Sequence, residues 1–175
     1  SVTSFGGFCV SEGVPVNCID YYKHISELEV GDMVMSYNFD TSQVEEVEIL
    51  KIEKPNHSNL VTYIFDDMED IQYKHIESSP TNKVVTVNRG LTITKDHPIY
   101  KEDGTMVCLD TDKAQELYGL EAQEIQKGDR IRFIDSIKTV DKYLLNPGEQ
   151  ETYTILTKNN NFYAGGVLVH SEIGE

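Results

Sequence analysis

Apolar and polar residues alternate with a period of two along much of the chain, which is the spacing of half-buried β-strands. Residues 44–54 and 60–65 combine β-branched and aromatic residues, and the turn-forming segment PNHSN separates them, so we predict a hairpin. Residues 84–100 contain two more such runs, joined by NRG at 88–90, and we predict a second hairpin there. The pattern therefore predicts an all-β fold.

A helical pattern is convincing at one place in the sequence. Residues 111–120, TDKAQELYGL, open on Thr111, a residue type that caps helix N-termini. The segment closes at Gly119, which suits a helix C-terminus. We therefore predict one short helix, capped by Thr111.

One sequence pattern occurs twice, which indicates an internal duplication. Two apolar residues, a Gly-Asp pair and a further apolar residue follow one another at the same spacing in both copies, with matched positions 97 residues apart. The positions are Ile25, Leu28, Gly31, Asp32 and Val34 in the first copy, and Ala122, Ile125, Gly128, Asp129 and Ile131 in the second. Two copies of one unit predict a β fold with approximate two-fold internal symmetry.

Composition and charge exclude some of the protein classes to which this chain could belong. With 175 residues, 39% of them hydrophobic, the chain suits one globular domain. A formal net charge of −15 argues against nucleic acid as a partner, because phosphate binding needs a basic face. No run approaches the ~18 apolar residues of a membrane span, so no membrane partner is expected. Residues 1–8 lack the basic and apolar regions of a signal peptide, and the cellular compartment stays open.

Three cysteines are too few, and too scattered, for a disulfide framework or a Cys-x-x-Cys metal site. Cys18 and Cys108 lie within apolar strand patterns, where a small buried side chain is the default interpretation. Cys9 differs because it begins the first core strand, directly after the polar, glycine-containing residues 1–8. It is the candidate for a reactive thiol.

Two histidines are candidate partners for this thiol. His97 ends the motif Thr94-x-x-His97, and His170 follows the strand pattern of residues 167–169. A thiol with a pKa near ~8.5 holds little thiolate at neutral pH, so a nucleophilic cysteine needs a neighbour that takes its proton. From the residues alone, a surface histidine at position 97 and an ordinary strand threonine at position 94 remain open alternatives.

Three sequence blocks in a fixed order carry a resemblance to a known family. The second block is Thr94-x-x-His97 followed by Pro98, and the third is NFYAGGVLVH followed by Ser171. The first block consists of Cys9, Gly13, Val14, Val16, Ile25, Leu28, Gly31, Asp32, Val34 and Ser36. Together they resemble the Hint family, the self-processing domains of Hedgehog proteins and inteins, and the likeness runs from Cys9 to Ser171.

The resemblance implies a fold and a division of the chain. The fold would be an all-β, Hint-type horseshoe of curved antiparallel strands with pseudo-two-fold internal symmetry and one short helix. Residues 1–8 would be a flanking N-terminal extein-like segment, 9–171 the Hint autoprocessing domain, and 172–175 a flanking C-terminal extein-like segment. The domain is too short to contain an endonuclease of ordinary domain size. We expect a monomer that needs no cofactor and no metal.

The resemblance also implies that the domain acts once, on its own chain. The Cys9 thiol would attack the Phe8 carbonyl in an N-to-S acyl shift, which converts the Phe8–Cys9 amide into a thioester. By the same resemblance His97 polarises or protonates the amide nitrogen, Thr94 orients the peptide, and His170 supports the C-terminal end. Water or a small nucleophile would then accept the acyl group, so the partners are the flanking segments in cis and that nucleophile.

The chain departs from the family pattern at Ser171, where inteins have the asparagine that cyclises. A serine side chain has no amide nitrogen, so this cyclisation is chemically excluded, although Ser171 could accept an acyl group. Val14 and Thr154 also stand where the family often has a threonine and an aspartate. Three interpretations stay open: a bacterial intein-like self-cleaving domain, a splicing element inactivated at Ser171, and a degenerate Hint-like domain that serves as a structural or binding module.

Overall fold

The structure is a computed structural model that describes residues 9–66, 71–73, 85–87, 90–146 and 148–171. Its regular structure is mostly β, as the alternation of apolar and polar residues predicts, with one helix, α1 (Thr111–Tyr118), and a 3₁₀ turn at Ile25–Glu27 in the described ranges. The first nine strands are β1 (Val10–Ser11), β2 (Pro15–Cys18), β3 (Tyr21–His24), β4 (Met33–Asn38), β5 (Gln43–Glu53), β6 (Asn56–His57), β7 (Leu60–Phe65), β8 (Ile71–Tyr73) and β9 (Val85–Val87). The others are β10 (Leu91–Thr94), β11 (Ile99–Tyr100), β12 (Met106–Cys108), β13 (Gln123–Glu124), β14 (Arg130–Arg132), β15 (Ile137–Asn146), β16 (Gln150–Thr157), β17 (Asn161–Ala164) and β18 (Val167–His170).

The strands form two large sheets and a separate pair. The first sheet has the order β14-β15-β7-β10-β1-β16-β5-β4, with β6 beside β16. The second has the order β13-β12-β11-β18-β17-β2-β3, and β8 pairs with β9. The chain passes from β10 in the first sheet to β11 in the second through residues 95–98. Thr94 and His97 therefore lie at the crossover between the sheets.

The last two strands occupy the centre of the second sheet. All residues of β17 and β18 are buried, which explains why this part of the sequence reads as an almost continuous apolar run. Gly165 and Gly166, with φ of 58° and 85°, form the tight turn between them. His170, the last residue of β18, is therefore held on a buried strand rather than on a loop.

The duplicated sequence unit adopts the same turn in both copies. Gly31 and Gly128 have φ of 97° and 92°, a conformation that favours glycine. The side chain of Asp32 accepts from the Glu29 N–H at 2.9 Å, and in the second copy Asp129 accepts from the Gln126 N–H at 2.8 Å. The repeat found in the sequence is therefore a repeat of local structure.

Both predicted hairpins are wrong, although their strands are present. β5 pairs with β4 and β16, whereas β7 pairs with β10 and β15. The second predicted hairpin would have joined β9 to β10, but β9 pairs with β8, and β10 pairs with β7 and β1. The physical reason is burial: four of the six residues of β7 are buried, so this strand takes neighbours on both edges in the sheet interior.

The predicted helix is present, but its N-terminal cap is one residue earlier than expected. The Asp110 side chain accepts a hydrogen bond from the Lys113 N–H at 3.0 Å, and Thr111 is the first helical residue. Gly119 ends the helix in the left-handed conformation, with φ of 67°, as the sequence predicts.

Candidate active site

Cys9 is completely buried, and its backbone forms two hydrogen bonds with Thr94, one to the hydroxyl group and one to the backbone N–H. The strand register pairs Val10 with Ile93, which brings Cys9 beside Thr94. The Cys9 N–H donates to the Thr94 Oγ1 at 3.0 Å, and the Cys9 carbonyl accepts from the Thr94 N–H at 2.9 Å. The backbone nitrogen of Cys9 is therefore fixed in direction by one hydroxyl group. Phe8, on the other side of the expected scissile bond, lies outside the described residues.

His97 connects the start of the domain to its end. Its N–H donates to the Thr94 carbonyl at 3.1 Å, which closes the turn after β10. Its side chain is 1% exposed, and Nε2 lies 2.6 Å from the His170 carbonyl oxygen. Because a carbonyl oxygen can only accept, Nε2 carries the proton of this hydrogen bond. The neutral ring then has its basic nitrogen at Nδ1.

The electrostatics of the site keep His97 neutral. Burial lowers its pKa to about 3, while the backbone groups of His170 and Cys9 favour the charged ring and only partly offset the burial. A neutral imidazole can accept a proton, whereas an imidazolium cannot. At neutral pH the His97 ring is therefore uncharged.

His170 and Ser171 are positioned by backbone contacts around the end of β18. The His170 N–H donates to the Pro98 carbonyl at 3.0 Å, and its ring stacks on Tyr100 with centroids 6.1 Å apart. The His170 Nδ1 contacts the Ser171 carbonyl oxygen, so this nitrogen carries a proton. Burial lowers the pKa of His170 as well. The Ser171 N–H donates to the carbonyl of Asn160, a residue in the left-handed conformation with φ of 59°.

The structure thus brings together the five site residues predicted from the sequence within the described part of the chain. Successive contacts join Cys9 to Thr94, Thr94 to His97, His97 to His170, and His170 to Ser171. All five are buried. Of the sequence alternatives, the surface histidine at position 97 is wrong, because that ring is enclosed.

Three further residues contribute to the site and were missed by sequence reasoning. Asn160 holds Ser171, Tyr100 stacks on His170, and Asp96 is a fully buried carboxyl group between Thr94 and His97. The position of Asp96 inside Thr94-x-x-His97 was a signal that could have pointed to it. Nothing comparable marked Tyr100, which follows the motif in an ordinary strand pattern.

Neither a metal centre nor a membrane helix is found in the part of the chain that the structure describes. No three His, Cys, Asp or Glu side chains there are grouped so that they could hold a metal ion. No helix in the same ranges has the length and apolar character needed to cross a bilayer.

Comparison with solved structures places the chain among inteins by fold. A bacterial intein-like domain from Clostridium thermocellum matches with a TM-score of 0.66 and 18% identity, over 94% of this chain and 98% of that one. A DnaB intein from Synechocystis sp. PCC 6803 matches with a TM-score of 0.66 and 14% identity, over 95% of this chain and all of that one. No family model and no curated protein matches the sequence. The chain therefore has the Hint fold of inteins and intein-like domains, and it matches these domains over nearly their whole length.

Proposed function

We propose that this chain is a self-processing domain that cuts the bond between Phe8 and Cys9 by an N-to-S acyl shift. The observation that carries the proposal is the position of the His97 ring, which is buried and neutral. Its Nε2–H donates to the His170 carbonyl, and the ring lies near the Cys9 backbone. The same ring thus lies near the N-terminal junction at Cys9 and contacts the residue that precedes Ser171 at the C-terminal junction. The intein fold of the chain supports the same conclusion.

The proposed reaction needs no outside proton donor. His97 takes the thiol proton of Cys9 at Nδ1, and the thiolate attacks the Phe8 carbonyl carbon to form a C–S bond. The imidazolium then gives this proton to the Cys9 nitrogen as the C–N bond breaks. A thioester and a free amine result, and the number of protons is unchanged.

Thr94 orients the leaving nitrogen in this reaction. Its Oγ1 accepts the Cys9 N–H at 3.0 Å, which fixes the plane of the amide while the thiol approaches. An amide is more stable than a thioester, so the reaction proceeds to completion only if a nucleophile consumes the thioester. Water or a small thiol fills that role, and residues 1–8 leave the domain.

The arrangement of His170 and Ser171 at the C-terminal end favours a second function, which is related to the first. His170 Nδ1 donates to the Ser171 carbonyl oxygen, which is the carbonyl that an asparagine side chain at this position would attack. We propose that the contacts at this end suit the last step of protein splicing, in which an asparagine cyclises. Ser171 would block that step because its side chain has no amide.

Incubation with a small thiol tests the N-terminal reaction. The chain should release residues 1–8 as a thioester, detected by mass spectrometry, and Cys9→Ala should abolish this release. The matched control is Cys18→Ala, which removes another buried thiol from β2 and should leave release unchanged. Equal release from Cys9→Ala and the unmodified chain would contradict the proposal.

A further inference from the structure

Asn161 carries a buried amide that the proposed reactions do not use. It is the first residue of β17, it is 0% exposed, and the strand register places it directly opposite His170. The residue before it, Asn160, is exposed and belongs to the turn after β16. Asn161 is therefore the point at which this turn enters the interior of the domain, next to the C-terminal junction.

The side-chain amide of Asn161 has a complete set of hydrogen-bond partners. Oδ1 accepts from the Ser36 hydroxyl at 2.6 Å and from the Tyr37 N–H at 2.9 Å. Nδ2 donates to the Tyr37 carbonyl at 2.9 Å and to the Asn159 carbonyl at 3.2 Å. A side-chain amide can accept twice and donate twice, so its whole capacity is used. The contacts with Ser36 and Tyr37 tie the start of β17, in the second sheet, to β4, at the end of the first.

This anchor fixes the neighbouring carbonyl group of Asn160. That carbonyl accepts the Ser171 N–H at 2.9 Å. The bond lies one step beyond the pair Asn161 and His170 in the antiparallel ladder of β17 and β18. On its other side, the Asn160 N–H donates to the Thr157 carbonyl at 3.1 Å, which closes the turn. Because Asn160 is exposed, the buried residue that follows it sets the position of its carbonyl.

Residue 171 is thereby held on both sides. Its N–H donates to the Asn160 carbonyl, and its carbonyl oxygen contacts the His170 Nδ1. In asparagine cyclisation the side-chain nitrogen attacks the carbonyl carbon of the same residue. A backbone that is already fixed leaves only the side-chain torsions to be adjusted, which lowers the entropic cost of ring closure. Contacts that hold residue 171 therefore favour this reaction.

We propose that Asn161 is a positioning residue for the C-terminal reaction. Its side chain, tied to β4, holds the Asn160 carbonyl and through it the N–H of residue 171. This inference rests on the proposed function of the C-terminal end. Ser36 contributes to the same effect, because its hydroxyl makes the shortest contact with the Asn161 amide.

Amide hydrogen exchange tests the structural part of the inference without any cleavage. In a chain that carries Cys9→Ala, Asn161→Ala should speed exchange of the Ser171 amide by about tenfold or more, measured by NMR. The Val167 amide, opposite Ala164 at the other end of β18, should change by less than about twofold, because Asn161 does not contact that end. An unchanged exchange rate at Ser171 would overturn the inference.

Release of residues 172–175 tests the functional part, in a chain that carries Cys9→Ala and Ser171→Asn. Adding Asn161→Ala should slow this release by about tenfold to a hundredfold, because the reacting residue is less well held. Ser36→Ala keeps the three other contacts of the amide and should slow it by about threefold to tenfold. If Asn161→Ala does not unfold cooperatively in urea, Ser36→Ala decides by the same comparison.

The matched control is Asn17→Ala, which removes another buried asparagine from the same hairpin. The Asn17 Oδ1 accepts from the Gly166 N–H at 3.0 Å, at the turn between β17 and β18. Both asparagine variants should lower the urea unfolding midpoint, because each leaves buried polar groups without partners. Asn17→Ala should nevertheless leave release of residues 172–175 within about twofold.

The outcomes separate this inference from the proposed function. If the Ser171→Asn chain releases residues 172–175 and Asn161→Ala is equally fast, Asn161 has no positioning role. If Asn17→Ala slows release as much as Asn161→Ala, lost stability explains both effects and the inference is overturned. If the Ser171→Asn chain releases nothing, the proposed C-terminal function fails and the inference falls with it, even where exchange at Ser171 responds to Asn161→Ala.

Discussion

Replacing His97 by glutamine should remove a pH-dependent part of the stability of the domain. Burial lowers the pKa of His97 from 6.5 to about 3, so the folded chain keeps this ring neutral in mild acid. The unfolded chain takes up the proton as the pH falls through 6.5. Stability from the neutral ring is therefore fully present above that pH and is progressively lost below it.

The size of the effect follows from the two pKa values. At about pH 5 the unfolded chain is protonated at this histidine and the folded chain is not, which destabilises the folded state by about 2 kcal/mol relative to pH 7.5. Glutamine cannot take up a proton, but its amide can still donate to the His170 carbonyl. The His97→Gln chain should therefore lose about 2 kcal/mol less over the same pH range.

Urea unfolding measures this difference directly. Both chains carry Cys9→Ala, so that self-cleavage does not interfere, and each is unfolded at about pH 7.5 and about pH 5. His57 and His170 also have lowered pKa values, but they are present in both chains and their contributions cancel. If His97→Gln loses as much stability as its parent, the folded chain does not hold the His97 ring neutral at about pH 5, and the argument from burial fails.

Two further predictions concern the C-terminal junction and the fold. Ser171→Asn should release residues 172–175 on prolonged incubation, seen by mass spectrometry, and adding His170→Ala should stop it; an intact Ser171→Asn chain would count against the proposed role of this end. Gly90→Ala should lower the free energy of unfolding by about 2 kcal/mol or more, because φ is 125° and the new Cβ would lie 2.5 Å from the Tyr63 carbonyl oxygen. Gly128→Ala, with φ of 92° and no atom within 4 Å, should cost less, and equal losses would refute the steric argument.

The strands were predictable from the sequence, but their partners were not. The segment LVTYIF at residues 60–65 coincides with β7, because alternation and β-branched content are local properties. Its pairing with β10 and β15 depends on which surfaces are buried together across the whole chain. The short turn signal after β5 suggested a neighbour in sequence, whereas β6 uses that connection to pair with β16.

The residues of the candidate site differ in the same way: some could be identified from the sequence, whereas their contacts could not. Cys9, Thr94, His97 and His170 could be named from motifs, because their chemical types and order in the chain carry the information. Their mutual geometry could not, since the contact between His97 and the His170 carbonyl depends on how the two sheets meet. Tyr100 stacks on His170, a packing contact that single-sequence patterns do not report.

The proposed reaction has a consequence for the opposite end of the domain, because one ring serves both ends. When His97 takes the thiol proton at Nδ1, its Nε2–H becomes a charged donor to the His170 carbonyl, and charged hydrogen bonds are the stronger ones. That carbonyl directly precedes Ser171, whose own carbonyl accepts from His170. In the proposed reaction, proton transfer at Cys9 therefore strengthens a hydrogen bond at the C-terminal junction, through the His97 side chain. If the proposed function is correct, serine at position 171 lacks the side-chain amide that could use this effect, and only the N-terminal reaction can proceed.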